Sequence, residues 1–217
     1  MTHVFEAPPS MLRYDDGQRR LVLRPARVAD TEEVVAAIAE SLAELRAFMP
    51  WAHMPQTEAV QRRRMTELEA ELGQGHDLIL HLFEGEGGPF VGCLGLHGAR
   101  SLNPMCAEIG YWVRSGCTGR GIVTLAVRCA IVYAFETLGL NRIQCGYNEA
   151  NLASARVNAK AGFEVEGRLR FFEGRPTAQA RADGSRMGPC TVMTALFPED
   201  RGRLTWYSEV AASLTVL

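Results

Sequence analysis

The chain has 217 residues, of which 47% are hydrophobic, so it is long enough to bury one sizeable core. Its formal net charge is −2 at pH 7, and it lacks the basic excess that binding to a phosphate backbone requires, which argues against nucleic acid as a partner. The one basic run, Arg62-Arg63-Arg64, is balanced by neighbouring glutamates in a helical pattern, so we interpret it as a solvated helix face.

The six cysteines are scattered, and no two of them form a CxxC pair. This pattern is typical of reduced thiols, and we expect no metal site. The amino terminus has no basic start followed by an apolar core, as a signal peptide would. The longest apolar run, Cys129 to Phe135, is too short to span a bilayer. We therefore expect a cytoplasmic protein that makes no membrane contact.

The first third of the chain predicts one strand and two helices after a loosely held, polar lead-in at residues 1–20. The predicted elements are a strand at 21–23, a helix that starts at Asp30 or Thr31 and is broken at 48–51, and a helix that starts at Thr57 and ends before Gly73. Apolar residues recur every three or four positions in both helices, which predicts that each buries one face.

Strand patterns dominate the middle of the chain. Segments 78–83 and 90–97 flank a loop rich in turn residues and predict a hairpin. Segment 107–113 is a third strand that runs into a glycine-rich turn, and a helix follows from about Ile122 to Leu138. Because apolar residues cover most of its circumference, we expect this helix to pack against a sheet.

The last third predicts a strand at 142–146, a helix at 152–161, and strands at 163–172 and 191–197. Residues 174–189 are rich in Gly, Ala and Arg, and we predict a flexible loop. The tail has apolar residues at helical spacing that would pack on the body or on a second subunit, so a homodimer stays open. We predict one mixed α/β domain at 21–198, with a helical tail at 199–217.

The turn at residues 116–121 joins a strand to a helix, and such turns expose backbone N–H groups at the positive end of a helix dipole, where phosphate binds. A nucleotide P-loop would need Lys and Ser or Thr where Ile122 and Val123 stand. A dinucleotide-binding motif that starts at Gly119 would need a glycine at Thr124. A plain tight turn is the remaining alternative, so the surrounding sequence must decide.

Residues 109–127, Ile-Gly-Tyr-Trp-Val-Arg-Ser-Gly-Cys-Thr-Gly-Arg-Gly-Ile-Val-Thr-Leu-Ala-Val, resemble the acetyl-CoA-binding segment of GNAT N-acetyltransferases, in particular the RimJ/RimL-like (ribosomal-protein) branch. A second block agrees, Asn151-Leu-Ala-Ser154 followed by Ala161-Gly-Phe-Glu-Val-Glu-Gly-Arg-Leu-Arg170. The resemblance covers roughly residues 20–198. It departs at Gly116, where the family often has Gln or Arg, and at the aspartate before the last strand, which is Gly188 here or is displaced to Asp183.

The resemblance implies a fold and an activity. The fold would be a mostly antiparallel twisted sheet of six to seven strands, flanked by about four helices, with a V-shaped splay between the fourth and fifth strands. The activity would be transfer of an acetyl group from acetyl-CoA to a primary amine by direct attack in a ternary complex. The acceptor would be a protein N-terminal α-amine or a small-molecule amine. The alternative is a non-catalytic CoA-binding regulatory or interaction protein of the same fold.

The resemblance also assigns residues to the cofactor. Amides of 117–123 would hold the pyrophosphate, with charge added by Arg114 or Arg120, and N–H groups of about 109–112 would polarise the thioester carbonyl. Asn151 would hydrogen-bond the pantetheine arm or the helix start. The expected cofactor-binding residues are Ile109, Gly110, Tyr111, Trp112, Val113, Arg114, Cys117, Thr118, Gly119, Arg120, Gly121, Ile122, Val123, Asn151 and Ser154.

Three residues carry the expected chemistry. Glu173 aligns with the branch's general base, although it is equally an ordinary strand-end glutamate. Glu108 is a rival base, because other GNAT enzymes place one on that strand. Ser154 aligns with the general acid that protonates the departing thiolate, and its plainer role is helix capping.

On the acceptor side, Trp51, with Phe48 before it, resembles the aromatic residue that lines the acceptor pocket in this branch. A core aromatic that pins two helices together is the alternative. His97 ends a strand and either faces the pocket or is a satisfied or exposed histidine; we expect the latter.

Overall fold

The protein is built on one sheet, seen in a computed structural model that describes residues 8–74, 77–98 and 105–217. The strands of the described residues are β1 Leu12–Asp15, β2 Arg20–Pro25, β3 Asp77–Phe83, β4 Phe90–His97, β5 Cys106–Val113, β6 Arg142–Asn148, β7 Glu164–Arg170, β8 Cys190–Leu196 and β9 Leu214–Val216. Their order across the sheet is β7-β8-β6-β5-β4-β3-β2-β1-β9. Neighbours run antiparallel except β5 and β6, which are parallel.

The helices cover the two faces of this sheet. They are α1 Thr31–Phe48, α2 Glu58–Glu71, α3 Ile122–Glu136, α4 Leu152–Ala161, α5 Ala178–Ala182 and α6 Tyr207–Ser213. As predicted, α3 is buried on nearly all sides. It shares the main core with the sheet face that carries Leu80, Leu94 and Ile109. No helix in the described part of the chain is long and apolar enough to cross a membrane.

The predicted splay lies between β5 and β6, the fourth and fifth strands of the sequence prediction. These two strands pair only where residues 106–108 meet residues 142–144, and the pairing ends at Glu108. Beyond that point β6 pairs with β8 on its other side as far as Asn148. The later residues of β5 therefore face an opening instead of a neighbouring strand, which is where a ligand can enter the sheet.

The structure corrects the prediction in three segments. Residues 12–15, predicted as loose lead-in, form β1, because Leu12 and Tyr14 alternate with exposed residues and pair with β2. The predicted tail helix ends at Ser213, and Leu214 begins a strand that pairs with β1. Within the predicted loop 174–189, Thr177 caps the short helix α5 with its side chain. All three elements are very short, so their periodic signal in the sequence is weak.

A buried ion cluster joins the start of α1 to the sheet. The Asp30 carboxylate accepts hydrogen bonds from Arg24 at 2.6 and 2.9 Å, and its Oδ2 lies 2.7 Å from His81 Nδ1. Burial alone would raise the pKa of Asp30, but the hydrogen bonds from His81 and Arg24 outweigh it and hold the pKa well below its usual range. The folded state therefore favours the charged carboxylate.

We predict that Asp30→Asn lowers the free energy of unfolding by about 3 kcal/mol at pH 7, because it leaves Arg24 buried without its counterion. A depressed carboxyl pKa stabilises the fold above the unfolded-state value of about 3.9, and this contribution is lost as the pH falls towards the folded-state value. Urea unfolding of the variant and the wild type should therefore give a difference that narrows between about pH 5 and 3.

The control is Asp183→Asn, which changes a residue at the end of α5 and should alter stability by less than about 0.5 kcal/mol. A difference between Asp30→Asn and wild type that stayed constant over the same pH range would show that the charge of Asp30 does not stabilise the fold.

Candidate functional site

Two cavities open on either side of the splay. The first, about 570 Å³, lies between the end of α1, the glycine turn and the starts of α3 and α4, and we call it the turn-side cavity. The second, about 770 Å³, lies over the face of β3 to β6 beneath residues 48–68, and we call it the sheet-face cavity. The walls of the two cavities share six residues, Phe48, Met49, Tyr111, Trp112, Asn151 and Ser154. A molecule in one cavity can therefore reach a molecule in the other at this junction.

The glycine turn presents backbone donors to the turn-side cavity. Gly119 and Gly121 have φ of 75° and 77°, in the left-handed region that favours glycine. The first helical bond of α3 runs from the Leu125 N–H to the Gly121 carbonyl at 3.0 Å. The N–H groups of residues 119–124 have no partner among the described residues. Six unpartnered amides at a helix N-terminus are a donor set of the kind that binds anions, and they lie at the turn where the sequence predicted an anion site.

Two of the amides that were predicted to hold an anion are already used within the turn. The Cys117 N–H donates to the Arg114 carbonyl at 2.9 Å, and the Thr118 N–H donates to the Ser115 carbonyl at 3.2 Å. These bonds form a short 3-10 turn, which the sequence pattern did not show. Of the predicted amides 117–123, only those of 119–123 are therefore unpartnered among the described residues, and the amide of Thr124 is unpartnered as well.

The two arginines predicted to add charge are held in ion pairs. Arg114 pairs with Glu40 of α1, and Arg120 pairs with Glu84 in the loop after β3. The turn-side cavity has other cations in its wall, namely Arg156, Lys160 and Arg186. None of these three forms an ion pair with a residue that the structure describes. They place further positive charge in the wall of this cavity.

The open edge of β5 supplies a second set of donors. The Arg114 N–H donates to the Val91 carbonyl of β4 at 2.9 Å. Because N–H groups alternate between the two sides of a strand, those of Gly110 and Trp112 also point towards β4. Those of Ile109, Tyr111 and Val113 point towards the splay. Of the amides predicted to polarise the carbonyl, only those of Ile109 and Tyr111 therefore face away from β4. Tyr111 lies at the junction of the cavities.

A chain of hydrogen bonds links β5, α4 and β8 at this junction. The Tyr111 hydroxyl lies 2.8 Å from Ser154 Oγ, and Asn158 Nδ2 donates to the Tyr111 hydroxyl at 3.0 Å. Asn158 Oδ1 in turn accepts from the Thr194 hydroxyl at 2.7 Å. Burial raises the pKa of Tyr111 well above its usual range, so the phenol stays protonated and can donate.

This cluster revises the roles expected for the start of α4. The Asn151 side chain caps the helix by accepting from the Ser154 N–H at 3.1 Å, so Asn151 is the capping residue and the Ser154 hydroxyl is left to contact Tyr111. From the sequence, a specific role was predicted only for the backbone N–H of Tyr111. The phenol could not be foreseen, because its partner lies 43 positions away on another element.

The carboxylates predicted as bases, Glu108 and Glu173, both line the sheet-face cavity. Glu108 is half-buried on β5, and its Oε2 lies 3.4 Å from Gln144 Nε2. Glu173 is exposed in the turn after β7, which ends at Arg170 and not at Phe172 as predicted. The structure thus brings both carboxylates to one cavity.

The predicted aromatic residues also lie at this cavity. Phe48 lines both cavities, and Trp51 stands at the rim of the sheet-face cavity with its ring 6.2 Å from that of Trp112. His97, expected to be merely satisfied or exposed, is satisfied by Asp77 and also lines the cavity.

Comparisons with known proteins agree with this geometry. Residues 20–164 match the family model described as an acetyltransferase (GNAT) domain. The probable N-acetyltransferase YjcK of Bacillus subtilis (strain 168) is 33% identical over 150 residues, which cover 69% of this chain and 83% of YjcK.

Two solved structures share the fold. Mycobacterium smegmatis RimJ in complex with CoA-disulfide superposes with a TM-score of 0.76 at 23% identity and covers 100% of both chains. RimL, a ribosomal L7/L12 α-N-protein acetyltransferase in complex with coenzyme A, has a TM-score of 0.71 at 18% identity and covers 85% of this chain and 97% of its own. The predicted GNAT fold is thereby confirmed.

We predict that Asn158→Leu lowers the free energy of unfolding by about 2–4 kcal/mol, because it keeps the volume but removes the buried hydrogen bonds that the amide makes to the hydroxyls of Tyr111 and Thr194. Thr194→Val is the matched variant, and the double variant should cost less than the sum of the two. Chemical denaturation measures all three. Strict additivity would show that the Asn158–Thr194 bond does not hold this cluster together.

Proposed function

Because this chain belongs to the GNAT acetyltransferase family, we propose that it moves an acetyl group from acetyl-CoA to a primary amine, with the donor in the turn-side cavity and the acceptor in the sheet-face cavity. The observation that carries this proposal is the junction of the two cavities at Tyr111 and Ser154. An amine attacks a thioester directly only when both are held in one place, and a shared wall provides that place.

The donor cavity has groups of the right kind for each part of coenzyme A. The unpartnered amides of 119–124 would hold the pyrophosphate, and the cations Arg156 and Lys160 would meet its charge. The pantetheine arm would lie along the open edge of β5, where amides alternate with carbonyls. The Tyr111 N–H would then donate to the thioester oxygen as negative charge develops there.

The departing thiolate would take its proton through the hydroxyls of Ser154 and Tyr111, which lie 2.8 Å apart. Neither hydroxyl is acidic enough to donate readily by itself. A hydrogen-bonded pair can pass a proton on while it regains one from the newly formed amide nitrogen. In this proposal the Tyr111 hydroxyl acts together with that of Ser154, the predicted acid.

The acceptor cavity favours a peptide α-amine over a polyamine. Its rim carries exposed apolar side chains, and Arg64 lies in its wall; the rim residues are Trp51, Met54, Val60 and Phe172. Such an apolar rim suits the first side chains of a polypeptide better than a chain of several positive charges. The likeness to RimL, a ribosomal L7/L12 α-N-protein acetyltransferase, points in the same direction. Glu108 and Glu173, which both line this cavity, are the carboxylate candidates for the base.

We predict that Arg156→Ala combined with Lys160→Ala weakens CoA binding about tenfold at low salt and by less at high salt, because both cations are solvated and the attraction is screened. Isothermal titration calorimetry with CoA measures the effect. Arg181→Ala, an exposed cation outside both cavities, is the control. A larger loss with Arg114→Ala would instead show that Arg114 leaves Glu40 to bind phosphate.

We predict free-thiol release from acetyl-CoA with peptides that carry free N-terminal Ala, Ser or Met, and none when the same peptides are N-acetylated. Spermidine and a small monoamine complete the panel. Release with these but with no peptide would replace the peptide acceptor by a small molecule. CoA binding without thiol release from any amine would overturn the proposed enzyme and favour the non-catalytic CoA-binding alternative.

A further inference from the structure

Four polar side chains form a row on the face of the sheet that borders the sheet-face cavity, and two of them, His97 and Glu108, lie in the cavity wall. In the register of the sheet, Asp77 of β3 is paired with His97 of β4, His97 with Glu108 of β5, and Glu108 with Gln144 of β6. Paired residues of neighbouring strands point to the same face. The row therefore lies at one level of the sheet, at the last paired position before β5 and β6 separate.

His97 and Asp77 are in close contact within this row. His97 Nδ1 lies 2.7 Å from Asp77 Oδ2, and the imidazole is 21% exposed. A carboxylate can only accept a hydrogen bond, so Nδ1 carries the proton of the neutral ring. Nε2 then has a lone pair available for a proton. This is the arrangement in which a carboxylate orients an imidazole that acts as a base.

A pair of glycines leaves room for the imidazole and places Nε2 next to β5. Gly95 and Gly110 are paired across β4 and β5, and each lies two residues along its strand from the polar row. A Cβ at Gly95 would lie 2.5 Å from His97 Nε2, and a Cβ at Gly110 would lie 3.6 Å from it. The ring thus lies over both glycines. Its Nε2 lies against β5 at Gly110. The next residue of that strand, Tyr111, lies at the junction of the two cavities.

We propose that His97, oriented by Asp77, is the base that removes a proton from the acceptor amine. This inference rests on the proposed acetyltransferase function and concerns its acceptor side. The ammonium R–NH₃⁺ gives one proton to His97 Nε2, and the neutral amine attacks the thioester carbon to form the C–N bond. The C–S bond then breaks, and the thiolate takes one of the two protons left on nitrogen through Ser154 and Tyr111. The imidazolium returns its proton to water.

The groups around His97 are consistent with this role. Asp77 and Glu108 flank it on the neighbouring strands, and Glu173, His81 and Arg64 line the same cavity. Glu173, by contrast, lies exposed in the turn after β7.

The test compares His97→Gln with Glu108→Gln and Glu173→Gln, using the peptide of the panel that is acetylated fastest. We expect His97→Gln to lower kcat/KM about 100-fold or more and to remove the acidic limb of its pH profile, while CoA affinity stays unchanged. His53→Gln is the matched control, because His53 contacts the Arg46 carbonyl and lies in the wall of neither cavity.

A second acceptor separates a base from a merely structural residue. Hydroxylamine is largely unprotonated at pH 7 and needs little help from a base, so its acetylation should fall less than about tenfold in His97→Gln. Equal losses with hydroxylamine and with the peptide would show that His97 only shapes the cavity, and this would overturn the proposal.

Two further variants test the geometry without replacing the histidine. Asp77→Asn should lower kcat/KM about tenfold, because an amide no longer fixes the tautomer of His97. Gly95→Ala should approach the loss seen in His97→Gln, because its Cβ displaces the imidazole. Gly167→Ala, whose Cβ meets open space on β7, is the control. Circular dichroism and thermal melts confirm that each variant is folded.

The outcomes distinguish this proposal from the function on which it rests. If wild type acetylates no amine, the proposed function fails. If wild type is active and His97→Gln keeps its rate and pH profile while a carboxylate variant loses activity, only the assignment of the base fails, and that carboxylate replaces His97.

Discussion

The separation of β5 from β6 is the constraint on which the rest of the site depends. Three residue pairs hold the two strands together, and beyond Glu108 the edge of β5 that faces away from β4 has no paired strand. An open edge inside a sheet leaves polar groups that must find another partner. Here the opening connects a cavity on one side of the sheet with a cavity on the other, so that an extended ligand can complete the edge of β5.

The two faces of the sheet supply different chemistry to this opening. The face towards α3 is apolar, and it fixes the helix whose N-terminus presents the amides of 119–124. The opposite face carries the polar row from Asp77 to Gln144 together with paired glycines. In the proposed function, the helix terminus would hold a phosphate group and the side chains of the opposite face would hold the amine, with the reacting atoms between them.

Buried polar groups hold this arrangement in place. The Asp30 cluster joins α1 to β2 and β3, and Asn158 joins α4 to β5 and β8. Both sets lie close to the cavities and connect elements that are distant in the chain. Because an unpaired polar group in the interior is costly, these contacts specify how the helices sit over the splay, beyond what apolar packing would determine.

The sequence alone predicted the long elements and the glycine turn before α3, because these depend on local signals: apolar periodicity, helix caps and glycines in a turn. The splay was predicted only through the resemblance to a family. The sequence also indicated the family, through two ordered blocks of residues. Only the tertiary structure showed that Arg114 and Arg120 are ion-paired, that Tyr111 contacts Ser154, and that Asp77 stands beside His97. Each of these contacts joins residues at least 20 positions apart, and strand register and helix docking decide which of them meet.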